Sequence, residues 1–222
     1  PEPIAGEKTY YMGWQLFKAN PTLLSLIAIV LSAQVVAAVL DFKFQGLLSI
    51  EFEGSPDQET AFQGKFWGTL NTSVLALQFV IAPLLLSYVS IRLVHLMLPL
   101  IHMVAIAMAI IEPNIFTVGL AFFLFKAFDY SIFRAAKELW YVPLGFDERY
   151  RAKEVIDVFG YRSGKGFSSV AIVVLQKAGV LMSNYYLAIA FAMTAIWFAL
   201  IFPLTKPSEA DSEIDSESKD SG

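Results

Sequence analysis

Long apolar runs, each broken by a few polar positions at helical spacing, set the pattern of this chain. Residues 22–40, 66–86, 93–111, 115–142, 149–181 and 185–204 each supply enough mainly apolar sequence to cross hydrocarbon about 30 Å thick as a helix. Within them the polar residues recur on single faces. Gln34, Asp41 and Gln45 share one face of the first run, with Lys43 pointing elsewhere; Asn71 and Gln78 share a face of the second. His95 and His102 share a face of the third, with Pro99 between them. Two turns separate these histidines, about 10 Å along the axis, too far to hold one metal ion, so hydrogen bonds between helices are their expected work and no metal site is expected.

The fourth and fifth runs differ from the others. The fourth begins apolar and becomes charged through Lys126, Asp129, Arg134, Lys137 and Glu138 before Pro143 stops it. The spacing puts Arg134 and Glu138 on one face as an i,i+4 pair, beside Tyr130 and Tyr141, with Lys126, Asp129, Phe133 and Lys137 on the neighbouring face. The fifth run is its mirror image, charged first and apolar later, with Glu154, Asp157, Tyr161 and Lys165 on one face. Its Gly160 and Gly164 form a small-xxx-small pair that lets another helix approach closely. Between the runs, residues 47–64 are predicted as an acidic loop turning at Gly54-Ser55-Pro56-Asp57, residues 112–114 as a tight turn and residues 144–150 as a short connection.

Composition agrees with an all-α polytopic membrane protein: 56% of residues are hydrophobic and the mean hydropathy is +0.58. The net charge of −4 sits entirely in an acidic, Ser-rich tail, residues 206–222, expected to be disordered. The remainder is neutral, without the basic excess that would suggest nucleic acid. Residues 1–21, polar to amphipathic with Lys8, Lys18 and a cluster of aromatics, suit the headgroup layer, and residues 22–205 are expected to form one six-helix bundle in the bilayer. Residues 1–20 lack the apolar core of a signal peptide, and the opening on Pro rather than Met leads us to expect a piece of a longer protein. Connections on one side of the expected membrane carry Lys8, Lys18, Arg92, Arg149, Arg151, Lys153 and Lys206, against Lys43, Lys65 and Lys177 on the other. This bias places both termini in the cytoplasm.

Ionised groups at lipid depth are costly and ordinarily face a bundle interior or water. Lys126, Arg134, Lys137, Arg162 and Lys165 are the candidate cationic groups, and Asp129, Glu138, Asp157 and Asp41 the candidate acidic partners. Two readings stand open. Arg and Lys hold an anionic solute, Arg with bidentate geometry, while the acids exchange partners as a cavity opens and closes. Alternatively these are fixed ion pairs that keep two helices in register, and the chain is a non-transporting membrane anchor or regulatory module. No GxSxG, HExxH or P-loop is present, and Cys is absent, so neither an enzyme nor a bound cofactor is expected.

The charged segment resembles a family signature. KELWYVPL followed by AKEVIDVFGYRSGKG is similar to the KE-x-x-Y-x-P-L and K-x-x-I-D-x-x-x-x-R-x-G-K segments of the ATP/ADP translocases and their bacterial major-facilitator-like relatives. Lys137, Glu138, Tyr141, Pro143, Leu144, Lys153, Ile156, Asp157, Arg162, Gly164 and Lys165 carry the match, and DFKFQ at the end of the first run resembles another segment of the bacterial relatives. The resemblance implies a fold of twelve helices in two halves, of which this chain is similar to the C-terminal six-helix half. It implies a bacterial inner membrane, nucleotide exchange by alternating access, and a second six-helix half as partner.

Overall fold

The computed structural model describes residues 21–142, 145–160 and 185–204, together with the single positions 166, 170, 173, 174 and 177. Residues 1–20, the later part of the expected fifth span (with Tyr161, Arg162, Gly164 and Lys165) and the acidic tail lie outside the described residues.

All the described elements are helices. They are α1 (Pro21–Glu51), α2 (Pro56–Tyr88), α3 (Ile91–Ile111), α4 (Ile115–Leu139), α5 (Phe146–Glu154, continuing through Val155–Gly160) and α6 (Tyr185–Leu204). Five of them, all but α5, are long and apolar enough to cross a bilayer. Successive helices joined by short turns run antiparallel. One end of the bundle therefore holds the α1–α2 and α3–α4 turns, the other the α2–α3 turn and the α4–α5 connection. α1 packs along α6 and against α4, α3 packs against both α6 and α4, and α2 lies to the side, touching mainly α4. In its spanning stretch only 11% of α2 is buried, against 61% of α1 and 56% of α4.

The acidic loop predicted over residues 47–64 is replaced by helix on both sides of a short turn, with α1 reaching Glu51 and α2 starting at Pro56. Leu48 is buried, which keeps α1 helical past the apolar run, and Phe52 packs on Phe62 with ring centroids 5.4 Å apart across the turn. Gly54 takes φ 76°, a left-handed conformation open to glycine. Pro56 in the first turn of α2, with Asp57 and Glu59 beside the free amides, suits a helix start. The turn between α3 and α4 matches expectation and is closed by Asn114, whose Oδ1 accepts from the N–H of Phe116 and of Thr117, both at 2.9 Å.

Three of the described helices contain a wide, π-helical turn: Leu77–Ile81 in α2, Asp129–Phe133 in α4 and Val155–Gly160 in α5. The turn in α2 has a local cause. Pro83 has no N–H and its ring crowds the carbonyl four residues back, and just before it the Ala82 N–H reaches five residues back to the Leu77 carbonyl. Pro83 thus lies within a continuing helix rather than ending one. The wide turns of α2 and α4 pack against each other.

Candidate functional site

The charged end of the bundle is assembled between α4 and α5. Lys137, on the last turns of α4, is buried and pairs with Asp157 of α5, whose side chain stays 40% exposed. One residue along, Glu138 pairs with Lys153, and both side chains are about 40% exposed. The i,i+4 partner expected for Glu138, Arg134, is exposed and makes no ion pair among the described residues. The reason is the approach of α5, which offers Glu138 a cation from another helix, Lys153. Arg149 closes the layer: its Nε donates to the Tyr141 carbonyl at 3.0 Å and an Nη to the Val142 carbonyl at 2.6 Å, satisfying backbone acceptors at the end of α4. The Lys153 ammonium also lies 5.9 Å from the centre of the Tyr141 ring.

Asp129 sits eight residues back from Lys137, on the wide turn. It is buried, and its Oδ1 accepts no hydrogen bond from the described residues. Lys126, one turn earlier, donates to the Tyr130 hydroxyl at 3.4 Å and lies over the rings of Phe122 and Tyr130. Asp41 is elsewhere. Gly160 of α5 rests against Val30 and Ile27 of α1, and Asp41 lies eleven residues beyond Val30, about 16 Å further along that helix. There it accepts from Gln45 Nε2 at 3.4 Å. The structure thus brings together Lys137, Asp157, Glu138 and Lys153, sets Asp129, Lys126 and Arg134 deeper on α4, and leaves Asp41 towards the opposite end. Arg162 and Lys165 lie outside the described residues.

The two histidines part ways. His95 Nδ1 donates to the Ile91 carbonyl at 2.8 Å and Nε2 accepts from Trp140 Nε1–H at 3.0 Å, a pattern that a neutral imidazole with its proton on Nδ1 satisfies. It joins α3 to the charged end of α4, as the expected hydrogen bond between helices. His102 does not: neither ring nitrogen has a partner among the described residues, and the ring is packed among Phe125, Phe128 and Trp197. The rings packed on it come from α4 and α6, and the Trp197 Nε1–H likewise has no hydrogen-bond partner among the described residues.

Gly160 supports the packing reading of the glycine pair, since a Cβ there would stand 3.1 Å from Val30 Cγ1. Sequence reasoning missed Arg149 as a cap, Trp140 as a partner of His95 and the wide turn that carries Asp129. For the first, a cation just beyond a helix end was a usable signal. The other two depend on which helices meet and had none.

A family model described as TLC ATP/ADP transporter matches residues 69–207. That match spans α2 from its middle, α3 to α6 and the whole charged end. Among curated proteins, none matches the sequence significantly.

Proposed function

Since the chain belongs to the TLC ATP/ADP transporter family, and is an integral membrane protein by its helices, we propose that it moves a nucleotide across the bilayer by alternating access. It does so as one six-helix half working against a second, with its termini in the cytoplasm of a bacterial cell. A nucleotide brings several negative charges, and the polar layer of α4 and α5 is the part of this chain that can answer them.

The observation that carries this reading is the asymmetry of the Lys137–Asp157 pair, in which the ammonium is buried and the carboxylate is open. A phosphate oxygen approaching from the open side displaces Asp157 from Lys137, charge for charge, without leaving the ammonium unpaired at any stage. Lys153, released from Glu138 in the same way, supplies a second cation, and Arg134, Arg162 and Lys165 add guanidinium and ammonium donors for the remaining charge. When the site is empty the acids return, so the layer stays closed. Exchange follows naturally, because a departing nucleotide is replaced either by another or by these carboxylates. Asp129 is buried, and one of its oxygens has no hydrogen bond among the described residues.

Uptake of labelled ATP and of labelled phosphate by proteoliposomes holding the full-length protein tests the reading. ATP is expected to enter and phosphate not, and Lys137→Ala, Arg162→Ala and Lys165→Ala are each expected to abolish most ATP uptake. Unchanged uptake in all three variants would overturn the assignment.

A further inference from the structure

The end of α4 closes on a tightened turn. The amides of Trp140, Tyr141 and Val142 donate to the carbonyls of Lys137, Glu138 and Leu139, three residues back, at 3.1, 3.2 and 3.3 Å. This short piece carries both ion pairs to the next helix, and its side-chain bonds go two ways. Towards α5 it is held by Lys137 with Asp157, by Glu138 with Lys153, and by the Arg149 guanidinium on its last carbonyls. Towards α3 it is held, among the described residues, by one side-chain hydrogen bond, from Trp140 Nε1–H to His95 Nε2.

The two attachments answer an anion differently. A phosphate can take the place of a carboxylate beside an ammonium, so the ion pairs to α5 are open to exchange. His95 is fully buried and its ring is fixed, because Nδ1 donates to the Ile91 carbonyl and leaves Nε2 as a bare acceptor. An anion brings no donor to Nε2, so drawing Trp140 away would leave that acceptor unsatisfied in the bundle interior. The imidazole also lies between Phe133 and Trp140, steeply inclined to both rings, with centroids 6.3 and 5.5 Å away. Those two residues are seven apart on α4 and share a face, so α3 grips the last two turns of α4 through a single ring.

We infer that His95 is a positioning residue for the exchange layer: it keeps the end of α4, and with it Lys137, in place on α3 while the ion pairs to α5 open. The inference rests on the transport reading for the event that opens the pairs, and its test includes an arm that needs no nucleotide.

The sequence contains no Cys, so pairs of spin labels can report each attachment in the full-length protein in bilayers. Leu93→Cys with Leu139→Cys reads α3 against α4, and Leu139→Cys with Tyr150→Cys reads α4 against α5, all at exposed positions. Asp157→Asn, which opens the central pair without nucleotide, is expected to shift or broaden the α4–α5 distances and to leave the α3–α4 distances unchanged. Adding ATP to the original protein is expected to do the same. With His95→Phe, which has no acceptor, the α3–α4 distances are expected to broaden as well, and with His95→Gln, whose side-chain carbonyl can accept from the indole, to narrow again. Distances between α3 and α4 that follow Asp157→Asn while His95 is intact, or that ignore His95→Phe, would overturn the inference. Should His95→Phe not fold, Trp140→Phe removes the same bond from the donor's side. In proteoliposomes His95→Phe is expected to raise the KM for ATP severalfold, and His95→Gln to recover most of it. A residue that only stabilises the fold would lower the yield of protein and leave KM unmoved, a result that also overturns the inference. ATP that changes neither pair of distances in the original protein would count against the nucleotide reading, while the Asp157→Asn arm still decides the role of His95.

Discussion

The two ends of α4 are held by different physics. At the end near Ile115 the contacts are shape: Gly119 lets the Phe44 ring lie against the helix, where a Cβ would meet Cε2 at 3.1 Å, and Phe66 stacks on Phe122 with centroids 6.0 Å apart. At the end near Leu139 the contacts are charges, Lys137 with Asp157 and Glu138 with Lys153, reaching across to α5. Interlocked aromatic rings have one good arrangement. Ion pairs open to one side can trade partners with an incoming anion. On the proposed transport cycle, the charged end is the part expected to rearrange and the aromatic end the part expected to stay fixed.

Four substitutions break or sharpen that contrast. Asp157→Asn is expected to have the largest effect, because it takes the carboxylate away from the buried Lys137 ammonium. Losing one partner of a buried pair costs about 3–5 kcal/mol, and the open side of this pair sets the case towards the lower figure. Denaturant unfolding in mixed micelles measures it. Gly119→Leu overfills the aromatic end and is expected to cost about 1–3 kcal/mol by the same measurement, while leaving the affinity for ATP unchanged in whatever protein folds. Trp140→Phe leaves the buried Nε2 of His95 without its donor, at about 1–3 kcal/mol, and a shift in the imidazole nitrogen resonances should accompany the loss. Glu138→Gln, at a pair about 40% exposed on both sides, should change stability by only about 0–1 kcal/mol and yet lower the KM for nucleotide exchange, because the nucleotide no longer has to displace a carboxylate from Lys153.

The legibility of this molecule in its sequence varies from element to element. The helices were readable because hydrocarbon demands long apolar runs and buried backbone demands helix, so α3 and α6 fall where the runs do. The boundary of α1 was not. Leu47, Leu48 and Ile50 look like the start of a loop only while the packing of Leu48 and the Phe52–Phe62 contact across the turn are unknown. Among charged residues, the segments with Lys137, Glu138, Lys153 and Asp157 could be recognised by their unusual placement, but their pairing could not. Helical spacing favoured Arg134 with Glu138, and the neighbouring helix, whose approach no local residue announces, redirected the pair to Lys153. His95 and His102, equivalent in spacing, separate for the same reason: one meets Trp140 and the other only aromatic neighbours that offer it no hydrogen bond.

The most direct test exchanges the charges of the central pair. Lys137→Asp with Asp157→Lys keeps an ion pair between α4 and α5 but moves the cation to the open side. ATP uptake by proteoliposomes of the exchanged protein, compared with its unfolding midpoint, reads the two consequences apart. The account predicts a protein about as stable as the original that no longer takes up ATP, because the buried ammonium is the group that receives the phosphate. Uptake at the original rate in the exchanged protein would show that the pair only ties two helices together, and would contradict it.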